Sequence, residues 1–334
     1  MRIYCPICWR FFSLLCWLSP VVHGSNLDGQ LVRRDYILRG LHSRSTFLYT
    51  YRALYYSDRP MHSEHRFEGQ VALVTGASRG IGRAIAMAFA AEGAAVAAVS
   101  TTAEGSKSAA EEITARGGRA LPLVADVGRE ADVTQMVAQA EQALGPIRIL
   151  VNNAGIGGPT GPLTAVTLAD WERVLGVNLT GAFLCSREVL KGMMPRARSA
   201  TSPAAAGCII NIGSMAGKIS YPHRTPYASS KWGLIGLTRS LAEEVGRLGI
   251  RVNCICPGPI QTDLLENVFR ARAESTGTTV EKIRETYVSV TMLKRILAPD
   301  EVAAMTLFLA SDAAYGVTGQ AIDVCGGWAD VDRA

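Results

Sequence analysis

The chain has 334 residues, 48% of them apolar, with 34 basic and 29 acidic side chains and a formal net charge of +5. That length admits one large domain with an appendage or two small ones, and the apolar share calls for a substantial buried core. The charge lies wholly in residues 1–60, which carry eight arginines, three aspartates and no lysine. Residues 61–334 are therefore neutral, which excludes the basic surface expected of a nucleic-acid-binding domain.

The N-terminal stretch MRIYCPICWRFFSLLCWLSPVVHGS places arginines before a short apolar run and ends in small residues at Val22-His23-Gly24. This is the order of a signal peptide, and the arginine-rich, acid-poor composition also suits an organellar transit peptide. Ser13, Ser19 and Pro20 break the run, which falls short of the ~20 residues needed to span a bilayer. Cys5 and Cys8 form a CPIC pair, but no second pair accompanies it to complete a zinc site. Residues 25–60 follow neither a helix nor a strand period. The next methionine is Met61, and regular patterning follows it. Residues 1–60 are expected to be an extension (signal-like, transit-like or a misassigned start) and residues 61–334 the working domain.

From Gln70 onward, apolar strands alternate with helices. VALVT (71–75) leads into a glycine-rich turn and the helix RAIAMAFAAEG. AAVAAVS (94–100) precedes the polar-faced helix GSKSAAEEITARG, and ALPLVADV precedes EADVTQMVAQAEQALG. IRILVNN leads to a long helix around 167–194, and GCIINIGS to the helix YASSKWGLIGLTRSLAEEVGRLG. IRVNCICPG and GQAIDVCGG complete seven strands. Continuous apolar strands joined by helices predict a mainly parallel sheet covered on both faces, a doubly wound α/β domain of the Rossmann type.

TGASRGIG sits between the first strand and first helix, the context that gives a glycine triplet its meaning. Gly76 suits the tight turn, Gly80 lets backbone approach a pyrophosphate, and Gly82 lets the helix pack closely on the sheet. The helix N-terminus then offers free N–H groups to phosphates. NAD-binding chains normally end the second strand in an acid that holds the ribose 2′-hydroxyl. Ser100, Thr101 and Thr102 stand there instead, with Glu104 too far along. Without that carboxylate a 2′-phosphate is not repelled, and Arg79 offers a bidentate donor to it. NADP(H) is favoured, with NAD(H) possible. Asp126 is placed to meet the adenine amino group or to cap the helix that follows.

Tyr227 and Lys231 stand four apart at the start of a helix pattern and so share a face. A neighbouring ammonium lowers a tyrosine pKa, and Ser214, at the end of a strand, can hold a carbonyl near the phenol. Cys185, Cys208, Cys254, Cys256 and Cys325 are scattered in apolar surroundings, and His223 is the only histidine beyond residue 65. Buried reduced thiols are expected, and no metal site.

TGASRGIG, DV (126–127), NNAG (152–155), NLTGAF around Asn178, GS (213–214), YASSK, PGPIQT (257–262) and GQAIDVCGG occur in order. On these motifs the chain resembles the short-chain dehydrogenase/reductase family from about 66 to 331. In style it is nearest to β-ketoacyl-acyl-carrier-protein reductases and related sugar, polyol and hydroxyacid dehydrogenases.

The resemblance implies that Tyr227 is the general acid or base, that Lys231 lowers its pKa and binds the nicotinamide ribose, and that Ser214 orients the carbonyl. It implies that Asn178, in a helix kink, holds a water on the proton path. Cofactor contacts are implied at Gly76, Ser78, Arg79, Gly80, Ile81, Gly82, Ser100, Thr101, Asp126 and Val127. They continue at Asn153, Ala154, Gly155, Tyr227, Lys231, Pro257, Gly258, Ile260 and Thr262. The family commonly has an acid where this chain has Arg148, from which a rearranged surface ion pair is expected.

Residues 262–301 carry two amphipathic helix patterns and are the expected substrate lid. Arg270, Arg272 and Lys294, with His223 and Arg224 beside Tyr227, could meet an anionic substrate, although acids interleave with them in the lid. The implied partners are a small carbonyl or alcohol substrate and further copies of the chain in a homotetramer, with no nucleic acid and no membrane. A cytoplasmic location is expected, or an organellar or exported one if residues 1–24 are a targeting segment. The expected activity is hydride transfer between a nicotinamide and a ketone or secondary alcohol; the alternative is a cofactor-binding relative with a regulatory role and little turnover.

Overall fold

The computed structural model describes residues 65–199 and 206–328. The expectations for residues 1–60 lie outside the described residues. Seven strands, β1 (Val71–Thr75), β2 (Ala95–Ser100), β3 (Arg119–Val124), β4 (Ile147–Asn152), β5 (Cys208–Ile212), β6 (Arg251–Pro257) and β7 (Ala321–Val324), form one sheet. Their order is β3-β2-β1-β4-β5-β6-β7, and every adjacent pair runs parallel. The chain leaves β1 toward β2 and β3, then returns to β4 on the other side. The strand order therefore reverses between β1 and β4, and the crevice at the carboxyl ends of these strands is where such sheets bind ligands.

The alternating strand residues explain why both faces are covered. Leu73, Ala97, Val99, Leu150, Ile209 and Val252 point to one face. There they meet α3 (Glu130–Leu144), α5 (Gly181–Ser199) and α6 (Thr225–Gly246) through Met136, Val189, Met193, Leu241 and Val245. Ala72, Val74, Val96, Ala98, Val151 and Ile210 point the other way. They pack on α1 (Gly80–Ala91), α2 (Ala103–Ala115) and α9 (Pro299–Ala310) through Ile85, Phe89, Ile113, Val302 and Leu307. Buried polar residues tie the first face together: Asn152 donates to Asn211 Oδ1 at 2.9 Å and Ser186 Oγ at 3.0 Å, and Asn211 donates to Thr238 Oγ1 at 2.9 Å.

Two elements differ from expectation. The helix around 167–194 is not continuous: α4 (Leu168–Leu175) passes through one π-helical turn, Gly176–Thr180, into α5. Such a turn re-aims side chains within an otherwise regular helix, and here it turns Asn178 inward. Helix α9 has no counterpart among the expected elements, although Pro299 at its first position and Glu301, whose carboxylate accepts from Ala298 N at 2.8 Å, are sequence signals of a helix start.

The two amphipathic patterns after Thr262 do form helices, α7 (Asp263–Thr276) and α8 (Val280–Ser289). Arg148 is half-buried at the base of the sheet. Burial lowers its pKa, the charge of Asp312 opposes that shift, and Arg196 adds to it. Among the described residues no helix is long and apolar enough to cross a membrane.

Candidate active site

A cleft of about 1030 Å³ opens at the carboxyl ends of β1, β4, β5 and β6. Every expected cofactor and catalytic residue lines it except Asn178; of the five cations expected to meet an anionic substrate, Arg224 lines it, and His223, Arg270, Arg272 and Lys294 do not.

At the nucleotide end the wall is largely backbone. Gly76 and Gly80 adopt φ of 66° and 55°, the left-handed region that favours glycine. A Cβ on Gly76 would lie 2.9 Å from the Ala154 Cα, and one on Gly82 would lie 2.2 Å from Gly76 O and 2.3 Å from Asn153 Nδ2. These contacts mark a loop that must be bare to pack. Asn153 Nδ2 donates to Thr75 O at 2.9 Å and Gly76 O at 3.1 Å, while Thr75 Oγ1 accepts from Asn153 N and Ala154 N, each at 3.0 Å. β1 and β4 are thereby clasped beneath the loop.

Helix α1 begins after Arg79 with no side-chain cap and no acid in its first turn, so its amino end keeps free N–H donors facing the cleft. This bare loop and uncapped helix fit a dinucleotide pyrophosphate. Ser100 is buried at the end of β2, and Thr102 caps α2 by accepting from Gly105 N at 3.2 Å. Asp126 accepts from Gly128 N at 2.9 Å, in the turn before α3 and not at its cap, which is Arg129. Arg79 is exposed and only loosely paired, 3.8 Å from Asp263. Arg83 and Arg116 also line this end, but both are taken up by Glu112, at 2.5 Å and 2.6 Å. Sequence reasoning missed this group because Arg83 and Glu112 lie on different helices.

At the other end, Ser214 follows β5 and Tyr227 and Lys231 project from the first turns of α6. Lys231 is only 5% exposed. Burial lowers its pKa to about 8, against the opposing influence of Cys254 and Cys256. Its Nζ donates to Ile212 O at 2.8 Å and lies 5.7 Å from the centroid of the Tyr227 ring. Burial raises the Tyr227 pKa; a hydrogen bond with Ser214 is the largest opposing influence, followed by the charge of Arg224. Desolvation outweighs both, and the Lys231 ammonium donates to the Ile212 carbonyl.

Asn178 lies behind the wall of the cleft. Its Oδ1 accepts from Ile156 N at 2.8 Å, and its Nδ2 donates to Ile156 O and to Ser230 Oγ, each at 3.0 Å. A Cβ on Gly155 would fall 3.3 Å from Asn178 Oδ1 and 3.7 Å from Lys231 Nζ, so these two groups flank that glycine.

Pro257, which ends β6, and Gly258 and Ile260 after it form the floor. Thr262 caps α7, accepting from Leu265 N at 3.4 Å, and its methyl lies against Gly80. Tyr221, Tyr287, Trp328, Leu264 and Val268 close the substrate side.

A dinucleotide cradle beside a Ser–Tyr–Lys group whose tyrosine and lysine are desolvated defines a nicotinamide-dependent oxidoreductase on a doubly wound fold. The family model described as enoyl-(acyl carrier protein) reductase matches residues 76–329. The 3-oxoacyl-(acyl-carrier-protein) reductase FabG of Thermotoga maritima is 38% identical over 262 residues, 78% of this chain and 98% of that protein. The (hydroxy(phenyl)methyl)succinyl-CoA dehydrogenase subunit BbsD of Thauera aromatica is 40% identical over 260 residues, covering 78% of this chain and 96% of that one. Among solved structures, an actinorhodin polyketide ketoreductase with NADPH matches with TM-score 0.72 at 34% identity, covering 77% of this chain and 96% of its own. The chain belongs to the short-chain dehydrogenase/reductase family. It is an oxidoreductase acting between a carbonyl and an alcohol.

Proposed function

We propose that this chain reduces a small ketone, or oxidises the matching secondary alcohol, with NADP(H) as its preferred cofactor. The observation that carries the reading is the convergence of Ser214, Tyr227 and Lys231 on the end of a cleft whose other end is a bare glycine loop. The missing acid after β2, the exposed Arg79 and the NADPH in the related ketoreductase support NADP(H) over NAD(H). Bound nicotinamide supplies or accepts the hydride. Tyr227 gives its phenolic proton to the substrate oxygen in reduction and takes it back in oxidation. Ser214 donates to the same oxygen and holds the charge that develops there.

Lys231 holds a proton near Tyr227 and would bind the nicotinamide ribose. With its pKa near 8 it exchanges that proton readily in neutral to mildly alkaline water. Asn178 fixes Ile156 and Ser230 behind it, so any water relay at this point draws on the backbone of the π-helical turn. Ser78, Ile81, Val127, Ala154, Gly155, Pro257, Gly258, Ile260 and Thr262 shape the rest of the cofactor wall. We assign the catalytic domain to residues 61–334, with 262–300 as the lid. The family resemblance supports a cytoplasmic homotetramer.

The test is a panel of ketones, oxo acids, sugars and acyl thioesters assayed with NADPH and NADH. Oxidation of NADPH on at least one class is the expected result, and no turnover with either cofactor would overturn the reading.

A further inference from the structure

Two arginines are buried in the described structure, and they are treated differently. Arg251, 8% exposed, donates to three carbonyls, those of Leu309, Ala310 and Ser311. Arg224, 3% exposed, lies three residues before Tyr227 and makes one hydrogen bond, from Nη2 to Gly157 O at 2.8 Å. Its Cζ sits 5.2 Å from the centroid of the Tyr227 ring, and its Nε is sealed from solvent without a partner. Among the described residues no carboxylate pairs with it.

A guanidinium keeps its charge in a protein, and one carbonyl with one aromatic face falls short of replacing its water. The chain nevertheless holds it in place. His223, next to it, takes φ of 62°, rare for a residue with a side chain, and its carbonyl accepts from Gly161 N at 2.9 Å. A Cβ on Gly157 would fall 2.6 Å from Nη2. A buried cation that follows a strained residue, lines the cleft and is short of acceptors is built to receive an anion there.

We propose that Arg224 is a specificity-determining residue that binds the free carboxylate of the substrate. The inference rests on the oxidoreductase reading above and narrows it to a hydroxy acid or oxo acid. Because the guanidinium lies against the Tyr227 ring, the carboxylate sits close to the reacting carbon of the same small molecule. Tyr221, Tyr287 and Trp328 line this side of the cleft and favour an aromatic or apolar body beyond the acid. In the oxidation the alcohol carbon gives a hydride to the oxidised nicotinamide and the hydroxyl proton goes to the Tyr227 phenolate, leaving a ketone and the neutral phenol; the carboxylate is unchanged throughout. The other anion that could reach a cleft arginine is a cofactor phosphate, and the test separates the two.

The probes are β-hydroxy-β-phenylpropanoate and its methyl ester, oxidised with NADP+ by the full-length protein, Arg224→Gln and Arg224→Lys, with NADPH affinity measured for each. The wild-type protein is expected to favour the acid, and the ratio of acid to ester kcat/KM to fall roughly 10²-fold in Arg224→Gln, mostly through KM. Arg224→Lys should recover part of that ratio. NADPH affinity should change by less than about threefold, since the arginine is assigned to the substrate. Binding of non-reacting β-phenylpropanoate and β-phenylpropanamide to the wild-type NADPH complex needs no variant, and the acid is expected to raise Tm more than the amide.

An acid-to-ester ratio equal in wild type and Arg224→Gln overturns the proposal. So does a loss of NADPH affinity matching the loss in ratio, or equal effects of acid and amide on Tm. Turnover of neutral ketones with no preference for acids also overturns it and leaves the oxidoreductase reading standing. Absence of turnover across the whole panel is the distinct result that removes that reading.

Discussion

At the nucleotide end of the cleft the wall is glycine and main chain. Its polar groups are bonded to one another, as in the Thr75–Asn153 clasp, and its charged side chains are exposed or already paired. At the reacting end, Tyr227, Lys231 and Arg224 are drawn out of water, and burial is the leading influence on both Tyr227 and Lys231. The first end gains its affinity from shape that a Cβ would spoil. The second stores unfavourable desolvation in groups that a substrate and cofactor can satisfy. A substitution at one end should therefore change binding and folding, and at the other turnover and pH dependence.

The sharpest way to break that contrast is Tyr227→Phe, which removes the proton donor and little else. Turnover on any accepted ketone should fall by about 10²–10⁴-fold while NADPH affinity, read by fluorescence titration, stays near wild type. Unchanged turnover would remove Tyr227 from the mechanism and leave the reacting end without an acid.

Lys231 offers a stability test of the same stored energy. Its pKa falls from 10.5 in the unfolded chain to about 8 in the folded one. The buried charge is penalised in full below pH 8, and the penalty fades as pH rises through that value and is gone above 10.5. Between the two the unfolded chain binds more protons, so stability attributable to Lys231 rises with pH, by up to roughly 3 kcal/mol. Urea midpoints of wild type and Lys231→Met across this window should therefore converge as pH rises, with the methionine variant the more stable below pH 8. A difference that does not vary with pH would mean that the ammonium is not desolvated.

Gly82→Ala tests the other end. The added methyl meets Gly76 O and Asn153 Nδ2, which cannot retreat without opening the β1–β4 clasp. Loss of about 1–3 kcal/mol in stability is expected, with NADPH affinity falling alongside it. Full stability with weakened NADPH binding would separate the loop from the clasp and blur the contrast.

These differences also explain what the sequence could show. The glycine spacing, the strand parity and the four-residue step from Tyr227 to Lys231 are local patterns, and each kept its meaning in the fold. Asn178 was legible only by resemblance, because its place depends on a π-helical turn that apolar periodicity does not encode. The Arg83–Glu112–Arg116 group and the burial of Arg224 depend on segments distant in the chain. In sequence, His223 and Arg224 read alike, as cations beside Tyr227 that could meet an anionic substrate; the structure separates them, leaving the first exposed and burying the second against Tyr227.

The smallest expected effect falls on the cofactor preference. Arg79 and Asp263 are 79% and 74% exposed at 3.8 Å, a pairing worth little in water, so the guanidinium is available to another anion. With no carboxylate at the end of β2, a 2′-phosphate meets that cation and nothing that repels it. NADPH should bind more tightly than NADH, and Arg79→Ala should reduce the ratio by about tenfold, acting on NADPH alone. Because the site is exposed, the preference should also shrink as salt rises from ~0.05 M to ~0.5 M. Asp263→Asn, which removes the competing acid, should move the ratio slightly the other way. Equal affinities for the two cofactors in the unaltered protein would assign Arg79 to solvent and leave the selectivity of this end to the hydroxyls of Ser100 and Thr101.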